Sequence, residues 1–283
     1  MILVTGATGT VGGAVARRLA GTGEDVRALV RAPETARLPA GVDVVRGDLS
    51  DPASVEAAMH GIDGVFLVWP LPEAAPVVPV LEAVRLHAER IAYLSSAGVE
   101  PDAEEQGDPI TETHAGVERA IATSGLAWTA VRAGGFAAND LAWTEELSGG
   151  GSAVRTPFPE ARRAVVHEND LADVAIHALT TEGHAGRAYT VTGPEMLSET
   201  ERVHILGEVI GRPLKTERMD PDEARARLTA AGLPAEAAEG ILEAHRTFSD
   251  PAHTEDLHTA EEVTGLPPRA YRQWAADHAD AFR

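Results

Sequence analysis

Residues 2–13 read Ile-Leu-Val-Thr-Gly-Ala-Thr-Gly-Thr-Val-Gly-Gly. Ile2, Leu3 and Val4 form a short apolar run of the kind a buried parallel strand needs. The run breaks into a loop holding Gly6, Gly9 and Gly12, and an amphipathic stretch follows with Val11, Val15 and Leu19 on one face. Strand, glycine loop and helix in that order predict a dinucleotide-binding turn. Gly6 serves the tight turn, Gly9 lets a pyrophosphate approach the backbone, and Gly12 lets the helix pack closely on the strand. The phosphates then face a helix N-terminus, where unpaired N–H groups and the helix dipole favour anions.

Outward from this turn, strand and helix signals alternate. Strands are predicted over 26–30, 42–45, 65–68, 91–94 and 128–131, and helices over 52–60, 80–90 and 113–124. Asp51 is the expected N-cap of the first of these helices and Gly61 its stop. This alternation predicts an α/β fold, a Rossmann-like doubly wound parallel sheet with helices on both faces. The second half is less regular. Residues 148–152 read as a flexible turn, Asp170 as the cap of a helix to 179, and 189–192 as a strand. Ser198 and Glu201 form a capping box opening a helix that stops at Gly211. Asp220-Pro221 opens another helix, and 268–282 reads as a surface helix anchored by Tyr271 and Trp274. Residues 1–150 are expected to form the nucleotide-binding core, and 151–283 mainly a cap with some segments returning to the core.

Composition narrows the function classes. The 283 residues are 44% hydrophobic and carry a net charge of −20, from 24 basic and 44 acidic side chains. A surface so acidic repels nucleic acid and anionic membranes, and the Arg162-Arg163 pair is too small a basic cluster to reverse that. No apolar run reaches the ~18 residues of a membrane span, and the first strand starts without a basic leader. A cytoplasmic protein, monomer or homodimer, is expected. Cysteine is absent, which removes disulfides and thiolate chemistry. The eleven histidines form no metal-ligand array, and no Gly-x-Ser-x-Gly elbow is present. Lys215 is the only lysine among many arginines, a bias typical of a high-GC bacterial genome.

Several motifs together resemble the atypical short-chain dehydrogenases: the loop Thr5-Gly6-Ala7-Thr8-Gly9-Thr10-Val11-Gly12, then Gly47-Asp48-Leu49, then Tyr93-Leu94-Ser95-Ser96-Ala97. His114 with Glu118-Arg119, the run 131–136, Asp170-Leu171-Ala172-Asp173 and Tyr189-Thr190-Val191-Thr192-Gly193 are similar to the NmrA-like branch, including its quinone oxidoreductases. The resemblance covers nearly the whole chain and is loosest over 215–260. It implies a nicotinamide cofactor and a small α+β cap, built from the C-terminal half, over the nicotinamide end. It also implies cofactor contacts from Thr8, Thr10, Val11 and Ser95.

Arg31, at the end of the second strand, points to NADP(H), since a guanidinium grips a 2′-phosphate where an acid would repel it. A solvated surface arginine is the plainer alternative. Asp48 is expected to accept from the adenine amino group with Leu49 against the ring, or else to cap the following turn. Val68 and Trp69 follow the fourth strand, where Trp69 either flanks the nicotinamide or packs under the cap. Gly134, Gly135 and Phe136 follow the sixth strand, where glycines permit close approach and Phe136 offers an apolar wall, with Asn139 beside them.

The dehydrogenase resemblance implies a catalytic tyrosine four residues before a lysine. Here those positions hold Ile110 and His114, so the usual dyad is missing. Two functions remain open. In one, an NADPH-dependent reductase transfers hydride to a quinone or similar apolar, aromatic or conjugated carbonyl, with His114 donating a proton and Ser96 bonding the carbonyl. His114 as a ribose-contacting or surface histidine, and Ser96 as a strand-end cap, are the plainer roles. In the other, the protein is a non-catalytic NADP(H)-binding redox sensor.

Overall fold

The apolar run Ile2–Val4 is β1, fully buried along its length. A computed structural model describes residues 1–283. The first half runs β1, α1 (Thr10–Thr22), β2 (Val26–Val30), β3 (Asp43–Arg46), α2 (Pro52–Ala58) and β4 (Gly64–Leu67). It continues with α3 (Val77–Arg85), β5 (Arg90–Ser96), α4 (Pro109–Thr123) and β6 (Ala127–Ala133). Next come α5 (Thr144–Leu147), β7 (Ala153–Thr156), β8 (Arg162–Arg163), α6 (Glu168–Thr180), β9 (Arg187–Val191) and β10 (Leu197–Ser198). The chain closes with α7 (Glu199–Ile210), β11 (Lys215–Arg218), α8 (Pro221–Ala230), α9 (Ala235–Phe248), α10 (Glu261–Thr264) and α11 (Tyr271–Asp277).

Two compact units result. The first comprises Met1–Ala133, Glu168–Val191 and Ala260–Pro267. Its seven-stranded sheet has the order β3-β2-β1-β4-β5-β6-β9 with every pairing parallel. Ile2 stands beside Val26 on one side and Gly64 on the other. The strand order therefore reverses at β1, the topological switch point where open α/β sheets bind ligands. The fold is the Rossmann-like α/β arrangement that the alternation predicts. One face is closed by a core of Leu3, Val65, Leu67, Ile91, Tyr93, Val80, Leu81, Val117 and Ile121 from the sheet, α3 and α4. On α1, Ala14, Val15 and Leu19 have no exposed surface, and this helix packs on α6.

The second unit comprises Gly134–His167, Thr192–Thr259 and Pro268–Arg283. Residues 134–150, grouped with the core on sequence grounds, thus fall in this unit, while 168–191 and 260–267 return to the first. Its core gathers Leu147, Val154, Val203, Leu206, Tyr271, Trp274 and Phe282. Two small sheets, β7 with β11 in parallel and β8 with β10 antiparallel, complete it.

Several local expectations are corrected. Helix α3 begins at Val77 rather than 80, because Pro79 sits in its first turn where no donated N–H is needed, and it ends at Arg85 to allow β5 from Arg90. Helix α4 begins at Pro109, four residues earlier than predicted, because Asp108 caps it through Ile110 and Thr111 N–H. Asp170 is not a cap but a buried residue inside α6. The stretch 148–152 is partly a 3-10 turn, with Gly149 and Gly150 at positive φ. Helix α9 and the strands β7, β8, β10 and β11 went unpredicted. The Ser198–Glu201 capping box and the left-handed stop at Gly211 are present. No helix is long and apolar enough to cross a membrane.

Candidate functional site

The glycine turn is built as its residues require. Gly6 adopts φ +61°, and a Cβ there would stand 3.0 Å from the Val68 side chain. The Thr5 hydroxyl accepts from Val68 N–H at 2.8 Å, which ties the end of β1 to the end of β4. A Cβ on Gly12 would meet the Gly6 carbonyl oxygen at 2.3 Å, so only glycine lets α1 lie this close to the turn. At Gly9 the nearest atom to such a Cβ is the Gly6 oxygen at 3.3 Å, and otherwise the space is open. Gly9 is the N-cap of α1, no side chain caps the helix, and no acid lies in its first turn. Thr8, Gly9 and Thr10 are exposed while Val11 is buried. The helix N-terminus thus presents unpaired N–H groups beside a gap that a side chain at 9 would fill, an arrangement that fits a pyrophosphate.

At the ends of β2 and β3, Arg31 is exposed. The one acid that follows closely, Glu34, is paired with Arg46 at 2.8 Å, and a second Arg46 nitrogen donates to the Arg31 carbonyl at 2.7 Å. Asp48 uses Oδ1 to accept from Ser50 N–H and hydroxyl at 2.9 and 2.8 Å, so it does cap its turn. Those two bonds, with the Arg31 charge beyond them, hold its carboxyl below the usual range. Leu49 is buried in the core below. Trp69 is 6% exposed, packs in the same core, and donates its indole N–H to the Glu73 carbonyl at 2.8 Å.

Strand β5 and helix α4 face one another through a polar ladder that sequence patterns left undetected. Tyr93 and Ser95 are two apart on the strand, and His114 and Glu118 are four apart on the helix, so both pairs share a face. The Tyr93 hydroxyl lies 2.7 Å from His114 Nδ1. The Ser95 hydroxyl donates to Glu118 Oε1 at 2.5 Å. Arg132, opposite Ser95 on β6, grips the same carboxylate through Nε at 3.0 Å and a terminal nitrogen at 2.6 Å. Burial, reinforced by Glu118, raises the Tyr93 phenol far above its ordinary range. Burial also lowers His114, against the pull of Glu118 and Asp108. The phenol therefore keeps its proton and the imidazole is neutral near pH 7. Ile110 is 56% exposed on the first turn of α4, and Lys215 lies on β11. Ser96 accepts from Gly98 N–H at 3.1 Å, a strand-end cap that leaves its own proton for donation.

Gly134 and Phe136 belong to the second unit. There Val166 N–H donates to the Gly135 carbonyl at 2.7 Å, and Ala137 N–H to the Val166 carbonyl at 3.0 Å. Phe136 and Asn139 are both at least partly exposed.

Comparisons with known proteins fit this geometry. A family model described as NAD(P)H-binding matches residues 6–182. A (4-alkanoyl-5-oxo-2,5-dihydrofuran-3-yl)methyl phosphate reductase from Streptomyces griseus is 41% identical, covering 100% of this chain and 99% of the relative. An NAD(P)H azoreductase from Xenophilus azovorans is 34% identical, again over 100% of this chain and 99% of the relative. Among solved structures, the Citrobacter sp. triphenylmethane reductase complexed with NADP(H) superposes with a TM-score of 0.76 at 24% identity, covering 98% of this chain and 99% of that one. At that identity the likeness is one of fold.

Proposed function

The chain belongs to the NAD(P)H-binding family, and on that premise we propose that it is an NADPH-dependent oxidoreductase that reduces a quinone or similar conjugated carbonyl. The observation that carries the cofactor assignment is the uncapped N-terminus of α1 behind Gly9, with Arg31 at the end of β2 and no acid there to oppose a 2′-phosphate. The reductase reading rests on two relatives of near-equal length whose names are those of reductases. The Streptomyces relative adds phosphorylated dihydrofuranones to the acceptors that deserve testing.

NADPH, when bound, supplies the hydride. The chain supplies polarisation of the acceptor without a Tyr-Lys dyad. In this reading Tyr93 donates to His114 Nδ1, which fixes the imidazole tautomer with its proton on Nε2. That N–H then bonds the substrate oxygen as negative charge develops. Tyr93 acts through His114 and is a positioning residue. Ser96, held by Gly98 N–H, offers its hydroxyl proton to a carbonyl. A conjugated acceptor needs little more acid assistance than this.

The test is NADPH oxidation by purified protein, followed by absorbance, over a panel of quinones, enones and dihydrofuranones with NADH in parallel. Turnover with NADPH supports the proposal. Tight NADPH binding without turnover anywhere on the panel favours the redox-sensor alternative, which keeps the glycine turn and Arg31 but gives His114 no substrate.

A further inference from the structure

We propose that Arg46, at the end of β3, is a specificity-determining residue: it selects the phosphorylated dinucleotide by masking Glu34, an acid that would otherwise favour the unphosphorylated one. The proposal rests on the NADPH reading and explains how that reading survives an acid three residues after Arg31. All the residues concerned lie in the first unit.

A carboxylate at the end of β2 binds ribose hydroxyls and repels a 2′-phosphate, whereas a guanidinium there attracts it. This chain carries both, Arg31 and Glu34, on one exposed segment. The segment is tightly turned. Thr35 N–H and the Thr35 hydroxyl both donate to the Ala32 carbonyl at 3.2 Å, around Pro33 with its fixed φ. Ala36 N–H closes a second turn on the Pro33 carbonyl at 3.3 Å. Glu34 is a central residue of both turns, so its backbone is held beside the strand end.

Arg46 answers it from the neighbouring strand. It stands opposite Val30 in the register, and Gly47 N–H donates to the Val30 carbonyl at 3.0 Å, which fastens the two strand ends together. One terminal nitrogen of Arg46 donates to Glu34 Oε2 at 2.8 Å and the other to the Arg31 carbonyl at 2.7 Å. Exposed ion pairs usually hold loosely, because two long side chains must be ordered together. Here the second bond, to a main-chain oxygen, keeps the guanidinium in place against Glu34. Arg31 itself remains exposed, and the Asp48 carboxylate that feels its charge is already committed to Ser50. With Glu34 masked, the segment presents the positive charge of Arg31. With Arg46 removed, Glu34 opposes that charge, and its carboxylate is free to accept from ribose hydroxyls.

Fluorescence titrations of the full chain with NADPH and NADH, at low ionic strength, compare wild type with Arg46→Ala, Arg31→Ala and the double variant Arg46→Ala with Glu34→Gln. R46A should weaken NADPH about fivefold, the scale of one charge acting through solvent, and leave NADH as tight or tighter, which also reports that the variant is folded. Adding Glu34→Gln should return NADPH to within about twofold of wild type, because the acid that Arg46 masks is gone. At ~1 M salt, where the Debye length is about 3 Å, the R46A deficit should shrink. An NADPH-to-NADH preference unchanged in R46A overturns the proposal. So does a double variant as weak as R46A, which would mean that Arg46 acts on the phosphate directly and not through Glu34. A wild type without preference for NADPH removes the cofactor reading and the proposal with it. A wild-type preference that is lost in Arg31→Ala but kept in R46A removes the proposal alone.

Discussion

Gly9 and Gly12 look alike in the sequence and differ in what they forbid. Gly12→Ala places a methyl within 2.3 Å of a backbone oxygen and should unfold the turn, seen as a fall in melting temperature. Gly9→Val meets mainly open space, so the variant should fold yet bind neither NADPH nor NADH, and retained binding would displace the pyrophosphate from this turn. Arg31→Ala should weaken NADPH by about 10- to 100-fold, the scale of a charged hydrogen bond, and NADH by far less. Equal losses in fluorescence titrations with the two cofactors would remove Arg31 from the 2′-phosphate. These expectations could be drawn from the sequence because a missing side chain and the sign of a charge follow from residue type alone. Asp48 and Ser96 were legible only as alternatives. The same carboxylate or hydroxyl can serve a ligand or its own turn, and only geometry shows the bonds to Ser50 and Gly98.

Helix α4 carries the candidate chemistry, and its position depends on its first turn. Asp108 accepts from Ile110 and Thr111 N–H and from the Thr111 hydroxyl. Asp108→Ala should cost about 1 kcal/mol, a few degrees of melting temperature, and should loosen His114 against Tyr93. Tyr93→Phe is the sharper test of the ladder. It removes one hydroxyl from a buried ring, and it should lower kcat more than it raises KM, with the acid side of the pH profile shifted. An unchanged profile would leave His114 without its positioning partner. The i, i+2 spacing on β5 and the i, i+4 spacing on α4 were visible in the sequence. What was not visible was which faces meet, because that depends on the register of strands far apart in the chain. Helix α9 escaped for another reason: its amphipathic run begins after Pro234 without a polar side-chain cap to mark the start.

Over the whole molecule, acid should destabilise the fold in a predictable sense. His245 titrates at about 4 in the folded state and His114 is lowered as well, against roughly 6.5 when unfolded. Their neutral forms contribute full stability above that unfolded value. As pH falls through the interval down to about 4 for His245, the unfolded chain takes up protons that the folded chain refuses, and stability is lost. Asp140, raised to about 6 by burial against the pull of Arg202, acts in the opposite sense, so the informative comparison is with His245→Gln. That variant should show a shallower fall in melting temperature between pH 7 and 5 than wild type, and an identical slope would remove His245 as a source. The alternating pattern made the sheet legible, and some segments of the second half were expected to return to the core, but which ones do, 168–191 and 260–267, depends on pairings a linear reading does not give. That interleaving also bears on synthesis. Three segments of one unit alternate with three of the other, so neither unit can be completed from one contiguous stretch. During translation β6 emerges with its outer edge bare, and β9, which covers it, follows 54 residues later, between Ala133 and Arg187. At a ribosomal pace of roughly 5–20 residues per second, that edge waits some seconds in the open, an interval in which a chaperone would find its client.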